Sequence, residues 1–412
     1  MKKITKLPQN PWFYFGPAFL VSVGYMDPGN WATSLEAGSR FGYQLLWIVT
    51  LSSAIAVLMQ ILSARLGIAT GLDLAEHMRR NFPRHTTVFL FGVAFLAMMA
   101  TDLAEFMGVA LALNLLFGLP LHLSVLLTIL DVLFILWLER FGFRWVEMTI
   151  LGFVSLIGGA YVVEIFLSSP DLANVAFHAF VPNTIVFQNT HALFIAIGIL
   201  GATVMPHNLF LHSAQVKTRL HNNYDERKRI VFWSTLDTAS ALAAAWLVNG
   251  AILVMASAVF HQRGLLVTEI DQAYLTLQPL LGKAAAFTFA IALLASGISS
   301  STTGTLAGQF VVEGFLGLHI EHMAYVRLGI RLLTMAPTLI AVMMAVRPVT
   351  LLVLSQVLLS MALPFSVIPL VMFTSNPKIM GPYATPVWMK VLAWLSAVII
   401  VALNVLLILL AL

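Results

Sequence analysis

The sequence predicts an all-α polytopic membrane protein built as two inverted halves, and three observations carry that expectation. Of its 412 residues, 60% are hydrophobic and only 10% are charged, a composition suited to hydrocarbon and not to water. The apolar residues fall in runs of about 20, the length a helix needs to cross a bilayer. Two of those runs are interrupted by the same Pro-x-Asn pattern, Pro28-Gly29-Asn30 and Pro206-His207-Asn208, set 178 residues apart.

Taken in order, the runs place eleven spans near residues 13–39, 43–69, 86–117, 119–138, 145–167, 191–220, 230–260, 278–316, 323–346, 348–373 and 385–411. The first is broken at "GYMDPGNWAT", where an acid, a proline and a glycine interrupt apolar sequence. The second carries Gln60, and the third carries "TDLAEF" with Asp102 and Glu105. The fourth and fifth hold Asp131 and Glu164. The sixth is broken at "GATVMPHNLFLH". The seventh holds Asp237, the ninth Arg331 and the tenth Gln356. The first five spans (13–167) and the next five (191–373) form the halves, and the last (385–411) stands apart.

Charge sets the orientation. With a cytoplasmic N-terminus, sixteen of the 22 lysines and arginines fall on inside segments, as the positive-inside rule requires. Eleven crossings then leave the C-terminus outside. The first apolar run leads straight into the Asp-Pro-Gly-Asn segment with no small-residue cleavage site, so no cleaved targeting segment is expected. The chain has no cysteine, which excludes disulfides and thiolate metal sites and makes methionine the one available sulfur ligand. The net charge of +4 has no soluble face on which to cluster, so no nucleic-acid partner is expected.

Five crossings separate the starts of the two broken spans, so they enter from opposite sides and the halves are inverted copies. Matched interrupted helices of this kind mark the substrate site of many secondary transporters. From Phe15 to Gly24 a helix rises roughly 15 Å, half of a hydrocarbon core about 30 Å thick, which puts the break near the midplane. Freed backbone groups there cost several kcal/mol each unless something polar fills the cavity. The C-terminal, partly negative end of each first half-helix favours a cation. A plain proline kink explains one break; two at matched positions, one with an acid, favour a polar pocket.

The candidate ligands are Asp27, Asn30 and Met205, with the backbone carbonyls of Gly24 and Ala202. Carboxylate and amide oxygens suit hard ions, whereas a thioether tilts the preference toward Mn²⁺, Fe²⁺, Co²⁺ and Cd²⁺ over Ca²⁺ and Mg²⁺. Gln60 and Gln356 either complete an ion's shell or hydrogen-bond between helices. His207 and His212, five apart, face different directions on a helix, so they act separately. Asp102 and Glu105, three apart, share a face, and acids within hydrocarbon form proton relays or ion-pair networks. Arg331 and Arg219 are the available partners. Asp131, Glu164 and Asp237 receive no role.

"GYMDPGNWAT" together with "ATVMPHNLFLHSAQVKTR" resembles the natural resistance-associated macrophage protein (Nramp) family of proton-coupled divalent metal transporters, particularly its bacterial manganese and iron importers. "TDLAEFMG" and "LSQVLLSMALPF" look like the family's corresponding stretches, and the likeness runs along nearly the whole chain. The resemblance implies a leucine-transporter-like fold of two inverted five-helix repeats plus one added helix, working by alternating access. It implies metal ligation by Asp27, Asn30 and Met205 with the Gly24 and Ala202 carbonyls, Gln60 and Gln356 approaching the metal in some conformations, and a proton pathway and ion-pair network through Asp27, Asp102, Glu105, His207, Arg219 and Arg331.

Two departures stand out: Gly24 replaces the usual alanine, and Ile330 precedes Arg331 where some bacterial members carry two adjacent arginines. The protein is expected in the bacterial plasma membrane, acting as a monomer, with metal ions and protons as its partners and no cofactor. An organic-solute symporter on the same architecture is disfavoured by Asp27, which would repel a substrate carboxylate. An intramembrane enzyme lacks an H-E-x-x-H signature and any convergent nucleophile and base. A channel differs from a carrier in kinetics alone.

Overall fold

The computed structural model describes residues 16–141, 143–219, 224–267, 269–318 and 323–411. Among them every regular element is helical. Residues 13–15 of the expected first span, and Lys2, Lys3 and Lys6, lie outside the described residues.

The first expected span is two helices, α1 (Pro17–Ser22) and α2 (Pro28–Phe41), followed by α3 (Leu46–Thr70). A short helix, α4 (Leu74–Asn81), leads into α5 (Arg84–Phe117). The fourth expected span divides at Thr128 into α6 (Leu121–Leu127) and α7 (Ile129–Glu139), and α8 (Phe143–Ser168) follows. Two short helices, α9 (Leu172–Phe180) and α10 (Ile185–Gln188), precede α11 (Thr190–Val204) and α12 (Pro206–Gln215). Then come α13 (Tyr224–Val259), α14 (Ile270–Leu281), α15 (Lys283–Leu316) and α16 (Met323–Met343). The tenth expected span bends at Pro364, which cannot donate to the preceding turn, giving α17 (Pro348–Ala362) and α18 (Pro364–Thr374). After α19 (Pro377–Met380), α20 (Val387–Ala411) ends the chain's helices.

Eight helical runs among the described residues are long and apolar enough to cross a membrane. That count is lower than eleven partly because α2 and α3 are joined without a gap by a 3-10 turn at Gly42–Leu45, and partly because Pro17–Met26 and Leu121–Asp131 are short pieces of broken spans. The expected span 278–316 begins later, at Lys283, because Gly282 at φ 95° separates it from α14. Neither α9 nor α14 was legible as a separate element; both are short helices lying between longer runs.

At the centre α5 packs along α15, α3 along α13, and α11 along α17. The last contact is close: the backbone of Gly201 approaches that of Gln356 and Ser360 so nearly that a Cβ at 201 would stand 2.7 Å from the Ser360 nitrogen. Large apolar side chains such as Phe166, Leu247 and Trp388 are exposed on the outside of the bundle, as hydrocarbon contact requires.

Candidate ion-binding site

Both breaks follow one local plan, and both are narrower than the sequence suggested. After α1 the chain tightens into a 3-10 turn over Val23–Met26, and Asp27 alone is extended, at φ −66° and ψ 162°. Pro28, Gly29 and Asn30 already belong to the first turn of α2, because proline is pre-organised for the first helical position. The Asp27 carboxylate caps that turn, accepting from the Gly29 nitrogen at 3.2 Å and the Asn30 nitrogen at 2.9 Å. In the other break only Met205 leaves the helix, at φ 34° and ψ 109°, with Pro206, His207 and Asn208 opening α12. A positive φ is uncommon for a residue with a long side chain, and here it holds the methionine at the junction of two half-helices.

The freed carbonyls are claimed by side chains, as buried backbone requires. The Tyr25 oxygen accepts from Asn30 Nδ2 at 3.0 Å and from Asn249 Nδ2 at 2.7 Å. That of Met26 accepts from Ser296 Oγ at 2.5 Å. Asn249 lies in an apolar stretch of α13 and Ser296 opens a Ser/Thr-rich run of α15, and neither pattern says which side chain faces the break.

Three of the expected ligand groups converge. Asn30 Nδ2 lies 2.7 Å from Asp27 Oδ1 and 2.9 Å from the Ala202 carbonyl as well as facing Tyr25. One amide nitrogen carries two protons, so three acceptors crowd around two donors and the site is rich in oxygen. Met205 is fully buried, and Asp27 and Asn30 are each 1% exposed. The remaining two neighbours close the pocket. Gly24 packs against the Asn208 amide, and the Gln356 side chain lies against Gly29, donating to Ser355 Oγ at 3.0 Å while its Oε1 has no hydrogen-bond partner among the described residues.

Gln60 is directed elsewhere. Its Nε2 donates to the Tyr25 hydroxyl at 2.6 Å, and its Oε1 pairs with His212 Nδ1 at 2.8 Å, a chain tying α3 to both broken helices. His207 instead meets Thr101 Oγ1 at 3.0 Å. The two histidines therefore act apart, and no cluster of three or more His, Asp or Glu side chains suited to a metal occurs among the described residues.

A separate ionic cluster lies across α5. Asp102 and Glu105 share one face and both bond Arg331 Nη1, Glu105 Oε2 at 3.0 Å. Asp131 joins from α7, 3.5 Å from Arg331 Nη2. Ser301 bonds Asp131 and Arg331, and Thr334 bonds Asp102. The guanidinium also sits 4.2 Å over the Phe106 ring, a favourable cation–π contact. The side chain of Arg219 lies outside the described residues, although its backbone closes a 3-10 turn. Of the acids without an expected role, Asp237 accepts from the Gly16 and Ala18 nitrogens at 3.3 and 2.9 Å and anchors the start of α1. Glu164 is buried with neither oxygen partnered among the described residues.

An all-helical bundle whose half-helices meet at a buried carboxylate, amide, carbonyl and thioether is a membrane transporter of the leucine-transporter-like class. The architecture recurs in distant structures: MhsT in complex with L-phenylalanine superposes with a TM-score of 0.65 at 12% identity, over 94% of this chain and 98% of that one. The chain belongs to the natural resistance-associated macrophage protein-like (Nramp) family, whose profile matches residues 18–410. The divalent metal cation transporter MntH of Xanthomonas campestris pv. campestris is 48% identical over 402 residues, covering 95% of this chain and 90% of the relative. MntH of a Nostoc species is 48% identical over 396 residues, with coverages of 95% and 89%. The crystal structure of the Eremococcus coleocola manganese transporter, in complex with an aromatic bis-isothiourea substituted compound, matches with a TM-score of 0.89 at 36% identity. That match covers 98% of this chain and 88% of that one.

Proposed function

We propose that the protein imports divalent transition-metal ions, Mn²⁺ and Fe²⁺ foremost and Co²⁺ and Cd²⁺ besides, together with protons, by alternating access across the bacterial plasma membrane. In this reading it is a monomer of two inverted five-helix repeats plus α20, crossing eleven times from a cytoplasmic N-terminus. The observation that carries the reading is the convergence of Asp27 Oδ1 and the Ala202 carbonyl on the Asn30 amide nitrogen, at 2.7 and 2.9 Å, with the buried thioether of Met205 carried by the second break. The relatives named as divalent metal cation transporters support it.

Asp27, Asn30, Met205 and the Gly24 and Ala202 carbonyls bind the ion, and Gln356 approaches it. Gln60 joins only after leaving Tyr25. The thioether discriminates against Ca²⁺ and Mg²⁺, which bind sulfur poorly. Protons pass through Asp27, Asp102, Glu105, His207, Arg219 and Arg331.

Mn²⁺ uptake into proteoliposomes with excess Ca²⁺ and Mg²⁺ and an interior pH dye tests this. Uptake with interior acidification, and loss of discrimination in Met205→Ala, is the expected result. Uptake without acidification refutes proton coupling, and absence of transition-metal entry refutes the function.

A further inference from the structure

The two breaks share more than a proline. In α2 the N-cap residue is Asp27, proline follows, and Asn30 stands at the third helical position with its amide 2.7 Å from the Asp27 carboxylate. In α12 the N-cap residue is Met205, proline follows, and Asn208 stands at the third position with Nδ2 3.5 Å from the Met205 sulfur. Each asparagine thus reaches back one turn to the side chain that the break presents to the pocket. A side chain at this position ordinarily reaches the N-cap backbone; here both reach the functional group.

Asn208 is fully buried, and its Oδ1 has no hydrogen-bond partner among the described residues. A buried oxygen left unsatisfied costs its full desolvation, so as core filler Asn208 is a poor choice. Its amide fits because residue 24 is glycine: a Cβ there would stand 2.5 Å from Asn208 Nδ2 and 3.0 Å from Oδ1. Methionine has three rotatable bonds and fills space without a fixed geometry. A donor held on a helix fixes one direction of the thioether and leaves the other lone pair to an ion, while the unpartnered Oδ1 is free to accept from a water of that ion's shell.

We propose that Asn208 is a positioning residue for the Met205 thioether and thereby sets the preference of the pocket for soft over harder divalent cations. The inference rests on the reading of Met205 as a metal ligand. Outer-shell partners of metal ligands typically contribute about 10–100-fold in affinity, and the lower end suits a single amide on a neutral sulfur.

The test is Cd²⁺ and Mn²⁺ binding to the purified full-length protein by isothermal titration calorimetry, for wild type, Met205→Ala, Asn208→Ala, the double variant and Gly24→Ala. Asn208→Ala is expected to weaken Cd²⁺ about tenfold and Mn²⁺ much less, and the double variant to match Met205→Ala, because no thioether remains to be held. Gly24→Ala, which displaces the amide without removing it, shifts the Cd²⁺ to Mn²⁺ ratio the same way by less, and decides the matter where Asn208→Ala does not fold. An unchanged ratio in both variants, or additive losses in the double variant, overturns the inference while leaving the site intact. An unchanged ratio in Met205→Ala overturns the ligand reading and this inference with it.

Discussion

Arg331 Nη1 lies 3.0 Å from Glu105 Oε2, and the same guanidinium also pairs with Asp102 and Asp131, so three carboxylates from two helices are held by one cation that is 2% exposed. Removing one partner of a buried ion pair typically costs about 3–5 kcal/mol, because the other charge is left unpaired in low dielectric. Arg331→Met, similar in length but uncharged, is therefore expected to lose stability on that scale, read as thermal unfolding in detergent. Adding Glu105→Gln to it restores part of the loss. A single variant as stable as wild type would refute the ionic account of the cluster.

The helical class, the two breaks and the third-span acids were legible because each is a local pattern: apolar runs of fixed length, a repeated Pro-x-Asn, two acids three apart. Asp131, Asn249 and Ser296 were not assigned, since they gain meaning only from what α7, α13 and α15 pack against. The sequence leaves Gln60 open between ligand and interhelical bond. Its orientation toward Tyr25 and His212 depends on the phase of α3 against two broken helices, which no single sequence displays. The breaks are narrower than their motifs because proline ends a helix or begins one equally well, and here it begins both.

The close contact of α11 with α17 rests on Gly201. A methyl there would stand 2.7 Å from the Ser360 nitrogen and collide with the Gln356 carbonyl, a backbone obstacle that cannot rotate away. Gly201→Ala should therefore push α17 outward, at the typical overpacking cost of about 1–3 kcal/mol, and move Gln356 off Gly29. A lower melting temperature with weakened Mn²⁺ binding is expected; wild-type values in both would show that the interface yields freely.

Tyr25 holds Gln60 with its hydroxyl at 2.6 Å. Tyr25→Phe removes that acceptor and leaves the amide a single partner, His212. One hydrogen bond of this kind contributes about 1 kcal/mol, so stability should fall modestly. If Gln60 joins the ion in another conformation, releasing it favours that conformation and raises Mn²⁺ affinity. Binding weaker than wild type would instead assign the Tyr25–Gln60 bond to the ion-competent state.

The short helix α4 supplies a pH test outside the spans. Asp73 caps it through a reciprocal pair with Glu76, and both acids bond Lys217 at 2.5 and 2.8 Å. His77 on its buried face meets Thr70 Oγ1 at 2.9 Å, and burial pushes its pKa down to about 4, with Glu76 opposing and Arg80 and Lys217 reinforcing the shift. The unfolded chain takes up this proton near pH 6.5, whereas the folded one resists until about pH 4. The unfolded state thus binds more protons between those values, and the stability His77 contributes, complete above about pH 6.5, is lost as pH falls toward 4. Asp73 acts with the opposite sign, since burial raises its pKa and protonation favours the folded state, so the wild-type profile alone is ambiguous. Comparison with His77→Gln isolates the histidine: melting temperatures in detergent from pH 7 to 4 should fall less steeply in the variant. Parallel profiles across that window would show that His77 is as readily protonated folded as unfolded.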